Sequence, residues 1–321
     1  MVLIVTLNPS VDLLYFEPQF TLGKHNRFSP STIMAAGKGI NCSRALSHLG
    51  INATSLALVG GKTGDFFKRH LEEETFRSLY IPVEDETRHS ITIMHNQGTH
   101  TEIVEAGPKV SSELKTTIFN RILDIAKQEK PSIVSLNGSV HSDDPYFYDE
   151  LIQLLREDLD FPITIVTDFS RQALYNIVHK APYKPDFIKP NIHEFSELVG
   201  QELSSKEEVL THLQTNPSPI PYTLVSCGGQ GAIAQFNGQL YDVTAPTIDL
   251  VNPTGSGDAS VAGAIYAFAN KLDDESIIRY AIASGTANAM ENGVGVAPKN
   301  IVDKLLQQVN IRKINNNEPR K

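Results

Sequence analysis

The strongest constraint on the fold is a rhythm. Short apolar runs at 132–136 and 163–167 alternate with helical patterns at 112–128, 144–157 and 170–178. Earlier, 53–59 reads as a buried strand and 64–74 as a helix; later, 222–226 reads as a strand and 257–270 and 274–292 as helices. Strands alternating with helices in this way make a mainly parallel sheet covered on both faces, a three-layer αβα architecture. Three stretches break the rhythm. Residues 13–34 are extended and turn-rich, 90–94 alternate like a strand, and Gly98 turns the chain into a second strand at 101–104. These are expected to form a separate small β-sheet. Residues 232–236 and 239–243 read as two hairpin-like strands.

Two glycine loops open helices. The first is Ala35-Ala36-Gly37-Lys38-Gly39-Ile40-Asn41, the second Asn252-Pro253-Thr254-Gly255-Ser256-Gly257-Asp258. Glycine lets a backbone turn sharply and approach a ligand closely. The free N–H groups and the positive dipole end of a helix start then make an anion site. Lys38 adds a full charge to the first loop and Asn41 a neutral hydrogen-bonding group. Asp258 is out of place beside an anion, unless it faces a hydroxyl that must lose its proton as a phosphoryl group arrives. An anion hole of residues 255–258 with an adjacent base is the minimum equipment for phosphoryl transfer to an alcohol. A dinucleotide fingerprint would need glycine where Ser260 stands, and a P-loop would need glycine at Leu56.

Other polar residues fall just past apolar runs, where open α/β sheets bind ligands. They are Asp12, Gly138-Ser139 and Asp168. Lys189-Pro190-Asn191 is followed by Glu194 one turn on. Asn191 and Glu194 fit either water-mediated Mg²⁺ binding or a plain helix N-cap with an early acid. The ten histidines show no ligand pairing, so no structural metal and no Ser-His-Asp hydrolase is expected. A net charge of -9 argues against nucleic acid or an anionic membrane as main partner. Cys42 and Cys227 give no metal spacing and no disulfide framework, which points to a reducing cytoplasm. The chain enters on Val2-Leu3-Ile4-Val5-Thr6-Leu7 without the basic flank of a signal peptide, and no apolar run approaches the ~20 residues of a membrane span.

The paired glycine loops resemble those of the ribokinase-like carbohydrate kinases of the phosphofructokinase-B type. The likeness extends over nearly the whole chain through Asn8-Pro9-Ser10-Val11-Asp12, Glu86-Thr87-Arg88, Thr101 to Pro108, Lys189-Pro190-Asn191 with Glu194, and Ser226 with Gly228 and Gly231. The stretches Thr101 to Pro108 and Pro182-Tyr183-Lys184-Pro185 look most like the tagatose-6-phosphate kinase and 1-phosphofructokinase branch. The resemblance implies an ATP-dependent kinase that converts a ketohexose monophosphate to the bisphosphate. It makes Asp258 the base, with Gly255, Ser256 and Gly257 in the anion hole. It gives Asp12, Gly37, Lys38 and Asn41 to the sugar, and Lys38, Arg88 and Ser139 to its existing phosphate. Asn191 and Glu194 would position Mg²⁺ through water. Lys189, Ser226, Gly228, Gly231 and Asn252 would line the nucleotide site.

The same resemblance makes residues 1–10, 35–88 and 106–312 the α/β domain, 11–34 and 89–105 a β lid that pairs into a homodimer, and 313–321 a polar tail. The sequence departs from the family at Ala36, where glycine is usual near the lid hinge. It departs again at Val140-His141-Ser142-Asp143, which replaces a Leu-Pro-x-Gly turn. A kinase for an unphosphorylated sugar or nucleoside, and a non-catalytic sugar-phosphate sensor, remain as alternatives.

Overall fold

The computed structural model describes residues 1–30, 32–95 and 99–315. The chain begins with β1 (Val2–Thr6), β2 (Ser10–Phe16), β3 (Thr32–Ala36), α1 (Lys38–His48), β4 (Thr54–Gly60), α2 (Gly61–Leu71) and β5 (Arg77–Val83). β6 (Arg88–His95), β7 (Thr99–Val104), α3 (Ser112–Glu129), β8 (Ile133–Asn137), α4 (Phe147–Asp158), β9 (Thr164–Asp168) and α5 (Arg171–His179) follow. Next come β10 (Phe187–Ile188), α6 (Ile192–Val199), α7 (Lys206–Thr215), β11 (Tyr222–Ser226), β12 (Ala232–Phe236) and β13 (Gln239–Thr244). The chain closes with α8 (Ser256–Ala269), α9 (Asp274–Ala289), α10 (Lys299–Leu306) and β14 (Asn310–Ile314).

Ten strands form one sheet in the order β14-β13-β12-β11-β10-β9-β8-β1-β4-β5. The seven from β11 to β5 pair in parallel, and β12 to β14 add an antiparallel edge. β1 shows why the sheet is covered on both sides. Successive side chains point to opposite faces. Leu3 and Val5 join the core under α3 to α7, whereas Val2 and Ile4 join the core under α1 and α8 to α10. A strand buried on both faces must be apolar throughout, as 2–5 are.

The second sheet has the order β3-β2-β6-β7. Its register places Ile33, Leu13, Ile91 and Ile103 in one row across all four strands. On the opposite face Asp12, Leu14, Thr32, Met34 and Thr92 line a narrow cleft against Asn252, Thr254 and Val294. Ser10 pairs with both Ala36 and Arg88. The small sheet therefore takes in Ser10, Ala35, Ala36 and Arg88, one or two residues beyond the expected boundaries. The expected tail is also shorter. Lys313 and Ile314 belong to β14, and Ile314 is buried against the core. Residues 316–321 and the expected turn at Gly98 lie outside the described residues.

α8 carries the second glycine loop and is buried nearly all round by small residues. It packs tightly on α9, since a Cβ at Gly263 would stand 2.1 Å from the Tyr280 carbonyl oxygen. Gly263→Ala must push the two helices apart. We expect a loss of ~1–3 kcal/mol in urea unfolding; unchanged stability would show that the pair is not so closely set.

Candidate active site

The turn into α8 depends on Gly255, whose φ of 79° is left-handed. A Cβ there would stand 2.4 Å from Val294 Cγ1. Asn252 braces the turn from within: its Oδ1 accepts from Thr254 N at 3.0 Å and its Nδ2 donates to the Asn292 carbonyl at 3.1 Å. Ser256 N donates to the Pro253 carbonyl at 3.2 Å. The Ser256 amide is therefore taken up within the loop, while Gly257 and Asp258 lie in the first turn of α8. Lys189 is buried, and its Nζ stands 3.3 Å from where a Cβ of Gly257 would be. It brings a full positive charge to that turn. Asn288, fully buried on α9, clamps the loop. Its Nδ2 donates to the Thr254 carbonyl and Ser256 Oγ, and its Oδ1 accepts from Gly295 N and Val296 N.

Asp258 lies in the first turn of α8 and is 8% exposed. Its Oδ2 accepts from Asn41 Nδ2 at 2.8 Å. Asn41 sits in the first turn of α1, after Gly37, which caps that helix at φ 116° with Pro9 packed against it. Burial raises the Asp258 carboxyl to about 7, and Asp168 pushes the same way; Lys38, Asn41 and Lys189 oppose them. Lys38 Nζ stands 3.0 Å from Asp168 and 3.7 Å from Glu194. Burial works against its charge, but Asp168, Glu194 and Asp258 outweigh it and hold the ammonium above its ordinary range.

The other cation has its own setting. Arg88 opens β6 and donates from Nε to the Asn8 carbonyl at 3.2 Å and from Nη1 to the Glu105 carbonyl at 3.4 Å. Asn8 Nδ2 donates to Ser139 Oγ and to the Ala106 carbonyl. Burial lowers the Arg88 guanidinium, against the attraction of Asp12. Asp12 is held by Ser10 Oγ at 2.6 Å, and burial raises its carboxyl. Lys38 and Arg88 thus have separate partners. The 138–139 turn joins them, because a Cβ at Gly138 would lie 3.9 Å from Lys38 Cβ while Ser139 holds Asn8.

On the far side of α8 lies a cavity of about 550 Å³. Ser226, Gly228, Gly231, Ser256 and Gly257 line it, with an apolar wall from Ala245, Ile248, Leu250 and Ala289. That wall gave no signal in the sequence. Gly231 is required, since a Cβ would meet the Val243 carbonyl oxygen at 2.0 Å. Asn191 and Glu194 form a reciprocal capping box on α6, Asn191 Oδ1 taking Glu194 N and Glu194 Oε2 taking Asn191 N. Glu194 Oε1 remains turned to Lys38. Asn8 stands out in the sequence only within the Asn8-to-Asp12 motif and Asn288 not at all; Ala106 and Ser139, which Asn8 holds, and Thr254 and Ser256, which Asn288 holds, lie in other parts of the chain.

Residues 5–300 match the model of the pfkB family carbohydrate kinases. Tagatose-6-phosphate kinase of Staphylococcus epidermidis is 32% identical over 315 residues, 97% of this chain and 99% of that protein. The structure of phosphofructokinase-2 from Escherichia coli in complex with potassium superposes with a TM-score of 0.85 at 24% identity, covering 96% of this chain and 98% of that one. A possible 1-phosphofructokinase from Thermotoga maritima gives a TM-score of 0.85 at 23% identity, covering 98% and 99%. At those identities the two structures speak for the fold, and the family match and the Staphylococcus relative carry the assignment: this chain belongs to the pfkB family of carbohydrate kinases.

Proposed function

We propose that the chain transfers the γ-phosphoryl of ATP to a ketohexose monophosphate, giving the bisphosphate, as a tagatose-6-phosphate kinase or a phosphofructokinase. One observation supports this reading: Asp258 is held by Asn41 at the start of α8, next in the chain to Ser256 and Gly257, which line the cavity with Ser226, Gly228 and Gly231, while Asp12 faces Asn252 and Thr254 of the same loop across the small-sheet cleft. The cavity has the size and the mainly apolar lining, with a few polar groups, of a small-ligand site such as one for a nucleotide. Arg88 and Ser139, tied together through Asn8, suit the phosphate that the sugar already bears. Asp12 suits its hydroxyls.

Asp258 takes the proton of the attacking hydroxyl. The amides of Gly257 and Asp258, with Lys189, stabilise the charge on the moving phosphoryl. Lys38 bridges Asp168 and Glu194 beside that path. Asn191 and Glu194 would hold a hydrated Mg²⁺ through its waters, with Glu194 Oε1 as the carboxylate oxygen outside the capping box. When bound it would neutralise phosphate charge.

The small sheet acts as a lid over Asp12, and its outer row offers a dimer interface. Ile33 and Ile103 in that row are 40% and 53% exposed. Both cysteines are buried and unpaired, which suits a cytoplasmic setting. No helix is long and apolar enough to cross a membrane among the described residues.

Asp258→Asn should keep ATP binding and lose turnover by ~10²–10⁴-fold. In the parent enzyme the base works as the carboxylate. Because its folded pKa is raised, kcat/KM should fall as pH drops through about 7 rather than near 4. A flat profile down to pH 5 would remove Asp258 as the base.

Arg88→Ala should raise KM for the sugar phosphate far more than KM for ATP, and should spare a trace activity on the unphosphorylated sugar. Lys38→Ala separates the two cations: loss confined to the sugar phosphate keeps it at that phosphate, and equal loss for ATP moves it to the transferring group. For the lid, Ile103→Asp should convert a dimer to monomer in light scattering; a monomeric parent would end the dimer proposal.

A further inference from the structure

Arg44 is 8% exposed, and its guanidinium is bonded in four directions. Nε meets the Glu74 carboxylate. Nη1 donates to Asn41 Oδ1 at 3.3 Å and to the Val294 carbonyl at 3.0 Å. Nη2 donates to the Ala35 carbonyl at 2.9 Å. These partners come from α1, the turn after α2, the loop after α9 and the lid strand β3. Arg44 lies three positions after Asn41 on α1, so the two side chains are neighbours on one helix face.

The chemistry of the pair is directional. An arginine can only donate, so the atom of Asn41 that meets Nη1 must be the amide oxygen. That leaves Asn41 Nδ2 aimed at Asp258. A flipped amide would set NH₂ against the guanidinium and oxygen against the carboxylate, two repulsive contacts in place of two attractive ones. The surrounding backbone reinforces the orientation. A Cβ at Gly295 would stand 2.5 Å from the Asn41 carbonyl oxygen, so the loop that Arg44 holds at Val294 lies directly on Asn41.

We propose that Arg44 is a positioning residue for phosphoryl transfer: it locks the Asn41 amide with its N–H towards Asp258 and ties that pair to the lid strand through Ala35. This rests on the reading of Asp258 as the base. Asp168, Lys38, Lys189 and the buried Cys42 thiol also face Asp258, and Glu74, Asp12 and His48 face Arg44. None of the others sets the orientation of the amide.

The test is steady-state kinetics from pH 5.5 to 9 on Arg44→Met, Arg44→Lys, Asn41→Ala, the Asn41→Ala/Arg44→Met double variant, and Asp258→Asn as reference. Arg44→Met should lower kcat by ~10²-fold through misplacement of the base and leave KM for ATP within about threefold. Its acid limb should move up by about one pH unit, because the carboxylate loses a hydrogen bond that favours its charged form. The double variant should lose no more than Asn41→Ala alone, since both act through one amide.

Arg44→Lys keeps the charge and most of the volume but not the fork, so it should show the same shift in milder form; it decides the matter if Arg44→Met does not fold. An unshifted acid limb, or multiplicative losses in the double variant, with Asp258→Asn inactive, would overturn the role of Arg44 and leave the base in place. Near-normal turnover in Asp258→Asn would overturn the base itself, and this proposal with it.

Discussion

The structure is arranged around one unfavourable placement that it makes tolerable: a carboxylate sunk at the start of α8, beside amides and a lysine suited to an anion. Burial alone would neutralise Asp258, and Asp168 adds to that pressure. The opposing contributions are all specific: the Asn41 N–H at 2.8 Å, Lys38 and Lys189. The balance leaves a group close to neutrality in its titration, which is where a general base both holds its charge and takes a proton readily. Any one of those partners could shift the balance, so the site depends on how firmly each is held.

The fold supplies that firmness from both halves of the chain. α1 follows β1 and β3, and α8 follows the antiparallel edge, yet the two helices lie side by side on one face of the sheet. Their first turns meet at Asn41 and Asp258. Behind them Asn288 fastens the α8 loop to the 294–296 segment, and Arg44 fastens that segment to α1 and to the lid strand. The close α8–α9 contact at Gly263 and Gly285 leaves little slack. The two glycine loops therefore share one wall, and the small sheet is hydrogen-bonded to that wall at Ala35.

Much of this was legible before any coordinates. The glycine loops could be recognised because their chemistry is local: a left-handed Gly255 and the acid three residues on are read from adjacent letters. The strand–helix rhythm gave the sheet for the same reason. β5 was missed because it is a half-exposed edge strand containing Pro82, and α7 because its ten residues carry only a weak apolar face. Its capping box of Ser205 and Glu208 was a usable signal. The partners of Asn8, Arg44 and Asn288 are mostly backbone atoms, such as the Ala106 and Val294 carbonyls, brought in from distant elements, and no pattern in the sequence announces such contacts. For Lys38 and Arg88, the family resemblance implied one shared phosphate. Their real neighbours, acids for one and carbonyls for the other, appear only when the strands are set in register.

The most direct measurement is a crystal structure of the enzyme with a non-hydrolysable ATP analogue, Mg²⁺ and a ketohexose phosphate. The account predicts the acceptor hydroxyl within ~2.6–3.2 Å of an Asp258 oxygen, in line with a γ-phosphate resting on the amides of Gly257 and Asp258. An acceptor hydroxyl held by another residue, with Asp258 still bound only to Asn41, would contradict it.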